Sequence, residues 1–508
     1  MFAKINSMGL FGMNSYIVEI EADISTGKAR FDMVGLPDAA VTEAKERVRA
    51  ALKNSGYDFP STHITLNLAP ANVKKEGALY DLPVSIAILT ATAQLFLDLT
   101  QSAFIGELSL GGDVRRVNGV LPMLLCAKKA GIQKAFIPKE NAAEASVVTG
   151  IAIYPVTSLR QMIGYFHKTE EIVPLSGAAF SDLPQTGHLP DFADVKGQYQ
   201  AKRALEVAAA GGHNCLMIGP PGSGKSMLAK RLPSILPDMT FEESLDTTKV
   251  YSIAGALPGG TPLIHSRPFR SPHHTVSPAG LSGGGAIPKP GEISLANNGV
   301  LFLDELPEFT RTAMEVMRQP VEEGIITIAR AAGTLSYPCA IMLICAMNPC
   351  PCGYYGHPTK KCTCPPGTPA KYLSKISGPL LDRLDIHIEV PQVDYALLTE
   401  KTKGEPSSEI KKRVNKAREI QQRRFIGSTV TSNARMDSAM TKELCILTQS
   451  AENLLKLAFE RLNLSARAYD KILKLSRTIA DLDCSEHIQE KHVSEAIQYR
   501  SLDRKFWQ

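Results

Sequence analysis

Along the first third of the chain, apolar and polar positions follow two periods. Residues 15–20 and 63–68 alternate or run apolar as strands do, whereas 39–54 carries its charges at helical spacing. Residues 78–93 are almost free of charge and predict a buried helix. From 166 to 191 the chain becomes rich in Pro, Gly, Ser and Asp without any period, which predicts a linker. Beyond it, 214–218 reads as a short apolar strand and 227–232 opens a helical pattern. Further strands are expected at 300–303 and 339–346, and 326–334 alternates about a glycine as a hairpin does. From about 407 the pattern is helical to the end, with amphipathic stretches at 475–482 and 493–499. The expected class is α/β in three parts: a mixed domain over 1–165, a core over 192–400 and a helical lid over 401–508.

The chemistry concentrates in the core. Gly219, Pro220, Pro221, Gly222, Ser223, Gly224, Lys225 and Ser226 fit the phosphate-loop pattern G-x-x-x-x-G-K-[ST]. Strand, glycine turn and helix follow in the order that lets backbone N–H groups and a helix N-terminus converge on phosphates. Lys225 would reach the β- and γ-phosphates of ATP and Ser226 would bind Mg²⁺. The bland alternative is a glycine-rich turn that matches by chance. The strand at 300–303 ends in Asp304 and Glu305, carboxylates at the carboxyl edge of a buried parallel sheet. Asp304 would hold Mg²⁺ through its water shell and Glu305 would polarise the attacking water. The next strand ends at Asn348, whose amide could reach between the two phosphate-binding strands or merely end a strand.

Composition changes the picture little. At 508 residues, 44% hydrophobic and 21% charged, the chain has the make-up of a globular protein with several domains. A net charge of +5 permits a nucleic-acid partner without demanding one, so any basic surface must be local. Residues 411–424 hold seven basic residues against one acid, which suits a solvated helix face, a nucleic-acid patch or a subunit contact. The first residues lack a signal-peptide pattern and no apolar run approaches the roughly 18 residues of a spanning helix. A cytoplasmic location without a membrane partner is expected.

In such a compartment the pairs Cys350/Cys352 and Cys362/Cys364 suggest a structural Zn²⁺ site in a loop over 349–366. Reduced, metal-free thiols are the alternative, and His357 could replace one sulfur. Adjacent His273 and His274 point opposite ways on an extended chain, which favours polar loop contacts over joint metal ligation.

Several strings resemble known families. Residues 74–83 and 111–122 are similar to the nucleophile and general-base segments of the Lon proteolytic domain, which has an S5-like α+β fold. Here Ala78, Leu79 and Tyr80 stand where that family has its serine, and Pro122 falls at about the lysine's place. The resemblance therefore implies a Lon-like shell without protease chemistry, with Ser85 a packed helix residue. Residues 194–210 resemble the approach to an AAA+ module, whose short loop lies near the adenine. Asn348 resembles sensor 1 of that class, Arg383 its arginine finger and Arg467 its sensor 2 contacting the γ-phosphate. The Gly-, Pro- and His-rich 251–299 and the run 291–306 resemble the helix-2-insert branch, which includes magnesium chelatase motors and MCM helicases. In that branch Arg330 would sit near the tip of a channel-facing hairpin and touch DNA.

Together these features resemble the YifB/ComM family over nearly the whole chain. That resemblance implies a homo-hexameric, ATP-driven DNA translocase or helicase promoting branch migration of recombination intermediates in natural transformation, with recombination proteins as further partners. Its rivals are a chelatase-type motor driving metal insertion through a partner, a Lon-type protease acting through Ser85, and a DNA-binding scaffold with a dead ATPase site.

Overall fold

The buried strands around the phosphate loop are short and wholly apolar. Cys215–Ile218, Val300–Leu303 and Met342–Met347 are buried at every position, as parallel strands covered on both faces must be. The computed structural model describes residues 1–508 except 97, 178–188, 286–288, 331–332, 394–403, 463, 501 and 508, and of 330, 333 and 503–505 it describes the backbone alone. Its contacts divide the chain into two units. One comprises Met1–Gln185, Phe241–Ile264 and Ala329–Tyr337; the other comprises Thr186–Thr240, His265–Ile328 and Pro338–Gln508.

The first unit is built on a seven-stranded sheet. Its order is Arg30–Val34, His63–Ala69, Asn14–Ser25, Phe2–Phe11, Ser102–Phe104, Lys134–Pro138 and Ala152–Val156. The long strands Phe2–Phe11, Asn14–Ser25 and His63–Ala69 pair antiparallel. Their register sets Ile5 opposite Ile20 and Ile20 opposite Leu68, so one row of alternating side chains is buried across the sheet. Against that core packs helix Asp81–Ala91, buried along nearly its whole length as its lack of charge requires. Its one acid, Asp81, receives a two-pronged bond from Arg47, with Nε at 2.7 Å and Nη2 at 3.0 Å. Ser85 lies inside this helix, fully buried, and its hydroxyl donates to the Asp81 carbonyl at 2.9 Å. Helix Phe241–Ala254 belongs to this unit as well: Ser252 donates to Glu144 at 2.5 Å, and Gly119 N–H donates to the Ser252 carbonyl at 3.1 Å.

The second unit carries a five-stranded parallel sheet. Across it run Phe269–Arg270, Val300–Leu303, Met342–Met347, Cys215–Ile218 and Ile386–Glu389. In chain order the strands therefore lie second, third, fourth, first, fifth, which leaves the first strand between the fourth and fifth. Helices Tyr199–Gly211, Ser407–Arg424, Ala466–Leu482 and Glu490–Gln498 share one apolar core with it. The last helices are pinned to the sheet by buried polar groups. His213 bonds Thr478 at 2.8 Å and Asp385 at 3.2 Å, while Arg424 and Arg477 converge on buried Asp481. Burial works to raise the Asp385 carboxyl, but Lys471 and His213 outweigh it and hold the group well below the usual carboxylate range. Burial also lowers the His213 imidazole, against the pull of Asp385.

Residues Ile325–Arg330 and Gly333–Pro338 form the expected hairpin as a two-stranded sheet. The side chain of Arg330 lies outside the described residues. Among the described residues, no helix is long and apolar enough to cross a membrane.

Candidate functional site

The phosphate loop leaves the carboxyl end of strand Cys215–Ile218 and turns into helix Lys225–Arg231. Glycine is required twice over here. A Cβ at Gly219 would stand 2.2 Å from the Val390 carbonyl, and Gly224 takes φ +92° at the helix N-cap. Lys225 is almost wholly buried and folds back on its own loop. Its Nζ donates to the Gly219 and Pro220 carbonyls at 2.8 and 2.9 Å and to Asn348 Oδ1 at 3.2 Å. Burial pushes its ammonium down to about 8, against the pull of Asp304.

The acid strand Val300–Leu303 lies two positions away, with Met342–Met347 between. Ser226 Oγ donates to Asp304 Oδ2 at 2.5 Å, so a hydroxyl and a carboxylate face each other beside the loop. Two hard oxygen donors of this kind suit Mg²⁺, which takes oxygen ligands and shares them with phosphates and water. Glu305 follows in the left-handed region at φ +53°, a conformation costing about 1–3 kcal/mol for a non-glycine residue. Its carboxylate meets His274 Nδ1 at 3.2 Å and is otherwise well exposed.

That histidine was not among the expected site residues. The signal for it is register: Arg270 pairs with Leu301, and His274 and Glu305 each lie four residues further along. The strand carrying it, Phe269–Arg270, is only two residues long, too short for a hydrophobic pattern. Contrary to the expectation of opposite directions, the His273 and His274 rings lie side by side, centroids 4.1 Å apart and tilted by 34°, but His273 turns to Thr275 Oγ1 at 2.9 Å. The two rings thus make polar loop contacts with separate partners. Gln198 is a second unexpected member. Held at φ +55°, it donates through Nε2 to the Pro391 carbonyl at 2.6 Å and the Ser223 carbonyl at 3.1 Å, clasping the loop to the neighbouring strand.

Arg383 and Arg467 are elsewhere. Asn214, at the amino end of strand Cys215–Ile218, donates to the Arg383 carbonyl at 3.0 Å. Gly219 lies five residues further along, about 16 Å at about 3.3 Å per residue. Both arginines line a cavity of about 350 Å³ at that opposite edge of the sheet. There Arg383 Nη2 pairs with Glu322 at 2.5 Å and Arg467 Nη1 with Asp382 at 3.6 Å. The structure thus brings Lys225, Ser226, Asp304, Glu305 and Asn348 together and sets Arg383 and Arg467 apart as a second group.

The four cysteines do converge. Sγ of Cys350 lies 3.3 Å from Cys352 and 3.7 Å from Cys362, Cys352 lies 3.5 Å from Cys362, and all four sulfurs including Cys364 fall within 4.8 Å of one another. A tetrahedral zinc with Zn–S of about 2.3 Å needs sulfurs about 3.8 Å apart. The donor set therefore fits such an ion.

Comparison with known proteins covers the chain in three stretches. The family model "Magnesium chelatase, subunit ChlI" matches residues 191–398, "Subunit ChlI of Mg-chelatase" matches 20–141, and "Magnesium chelatase, subunit ChlI C-terminal" matches 404–500. Competence protein ComM of Haemophilus influenzae is 43% identical over 99% of this chain and 98% of its own length. The protein named YifB of Salmonella typhimurium is 41% identical over 99% of this chain and 97% of its own. Lon protease 2 of Bacillus subtilis is 26% identical over 177 residues, 31% of this chain and 32% of its own. Identity at this level over nearly the full length, joined to the phosphate loop and the acids that face it, makes the chain a member of the YifB/ComM family of magnesium-chelatase-like AAA+ ATPases.

Proposed function

We propose that this chain is one protomer of a closed hexameric ring that hydrolyses ATP between neighbouring subunits and uses the turnover to move along DNA, driving branch migration of recombination intermediates. The observation that carries the ring is the separation of the two arginines from Lys225 across the sheet. An arginine whose backbone meets the amino end of the strand carrying the phosphate loop, with Gly219 about 16 Å further along that strand, is positioned to act on another subunit's nucleotide.

In this reading Lys225 binds the β- and γ-phosphates, exchanging its loop carbonyls for them, and Ser226 and Asp304 hold Mg²⁺. The ion would offset charge developing on the transferred phosphoryl group. Glu305 polarises the attacking water and Asn348 orients it. Arg383 and Arg467 of the next subunit complete the site. A cavity of about 340 Å³ lined by Val195, Gly197, Tyr199 and Lys202, beside Gln198, receives the adenine.

Proton linkage offers a check on Lys225. Its ammonium sits near 8 without nucleotide, and the phosphates would raise it. A lysine whose pKa rises on binding takes up a proton wherever the pH lies above its free value. Affinity should therefore be greatest below about pH 8 and fall as pH rises past it. Calorimetric ADP titrations at pH of about 8.5, in two buffers of unlike ionisation heat, should report proton uptake that is absent at pH of about 7. Equal heats in both buffers at both pH values would refute it.

For DNA, the support is the two-stranded hairpin carrying Arg330 and the name of the relative, Competence protein ComM. In a three- or four-strand branch-migration assay, wild type should convert the substrate with ATP, Lys225→Ala should not, and Arg330→Ala should lose at least about tenfold in rate as a phosphate contact is removed. Full DNA binding and unwinding by Arg330→Ala would end the hairpin assignment. The matches to magnesium chelatase subunits favour a second reading, a motor that drives metal insertion through a partner. ATPase activity indifferent to single-stranded and branched DNA, yet stimulated by an integrin-like partner subunit, would select it.

A further inference from the structure

The cysteine cluster rests against the phosphate loop. Gly353, next to Cys352, is buried at φ +84°, and a Cβ built on it would come within 2.3 Å of Pro221 Cδ and 2.8 Å of its Cγ. Pro221 belongs to the loop on which Lys225 folds. On the other side, Cys350 is joined to Asn348 through Pro349 alone, and Asn348 accepts from Lys225. The cluster is thus tied to the nucleotide site at two points, one by packing and one through the chain.

Residues 351–367 contain no helix or strand, and Gly353 is their one buried residue. A segment with no apolar interior of its own keeps its shape only through a cross-link, and a tetrathiolate ion supplies one. The Tyr355 N–H already points at Cys350 Sγ at 3.3 Å, the kind of outer hydrogen bond that orients a metal-binding sulfur.

We propose that Cys350, Cys352, Cys362 and Cys364 bind one zinc-class divalent ion whose presence sets the nucleotide affinity of the phosphate loop, acting through Gly353 against Pro221 and through Pro349 on Asn348. The ion has no open position and takes no part in the chemistry. Without it the 351–367 segment loses its shape, Gly353 leaves Pro221, and Asn348 is no longer held toward Lys225. The proposal rests on nucleotide binding at the phosphate loop and is independent of DNA.

The test uses the purified full chain and reads metal content by mass spectrometry alongside the Kd for a fluorescent ADP. Wild type should carry one ion per chain, and cobalt(II) in its place should show tetrathiolate absorption. The double variant Cys362→Ser/Cys364→Ser should lose the ion and bind ADP about tenfold more weakly, about 1.4 kcal/mol. Gly353→Ala guards against simple misfolding: all four sulfurs remain, so it should keep the ion while its methyl group, crowding Pro221, still weakens ADP by a similar factor. Wild-type affinity in metal-loaded Gly353→Ala, or in the metal-free cysteine variant, would overturn the coupling. So would wild-type protein without bound ion. Failure of wild type itself to bind ADP would bring down the nucleotide assignment and the coupling with it, a result told apart by identical behaviour of wild type and Lys225→Ala.

Discussion

Arg383→Ala should abolish ATP turnover while leaving ATP binding near its wild-type value. An arginine finger supplied by a neighbouring subunit stabilises charge on the transferring phosphoryl group, and its removal costs about 10³–10⁵ in kcat. The geometry separates this outcome from a fault in folding. Within one chain Arg383 is held by Glu322 at the amino edge of the sheet, five strand positions from Gly219, so its loss leaves the phosphate loop intact. A measured Kd for ATP within about threefold of wild type, with steady-state hydrolysis down by at least about 10³, is the expected pair of results. Weak binding with normal turnover would mean that Arg383 serves its own chain's fold. Lysine is a poor substitute, lacking the planar fork, so Arg383→Lys should recover little.

Glu305→Gln should produce the second large effect, a fall in kcat of about 10²–10⁴ for loss of the group that polarises water. Gln keeps the length of the side chain and can still meet His274, so the strained backbone at φ +53° has no new reason to relax. The variant should bind ATP and hold it unhydrolysed, and any assembly that depends on ATP should become long-lived. Single-turnover measurements separate the alternatives. A normal burst followed by slow cycling would place Glu305 in product release, whereas a burst slowed in proportion to kcat assigns it to the chemical step.

Much of the nucleotide site was legible because its parts are local. The strands Cys215–Ile218, Val300–Leu303 and Met342–Met347 are continuous apolar runs, and in a parallel sheet the residue after each run must lie at the ligand-binding edge. Lys225, Asp304 and Asn348 could therefore be placed together from their positions after three strands. What remained hidden is long-range. Phe269–Arg270 is too short to show a period, so the pairing that carries His274 to Glu305 left no mark in the pattern. Gln198 reaches Ser223 and Pro391 through a side chain in a left-handed turn, which no periodicity reports.

A different limit explains the helix Phe241–Ala254. Its buried side chains are Ser244, Thr247, Thr248 and Ser252 with Val250 alone apolar, so no hydrophobic period marks the covered face and its packing with the first unit came only from the structure. The same holds for Gly353: a glycine in a Cys-rich loop reads as a tight turn, and its contact with Pro221 depends on two segments far apart in sequence.

The claim that one site is built from two chains is most directly tested by mixing inactive subunits. Lys225→Ala and Arg383→Ala proteins are each expected to be inactive alone. In rings assembled from an equal mixture, an interface with an intact phosphate loop facing an intact finger should occur at about one quarter of positions, as head-to-tail association dictates. ATPase activity should then reappear on mixing, rise as subunits exchange, and approach a fixed fraction of wild type. A mixture that forms mixed rings yet stays as inactive as its two components would contradict the shared site.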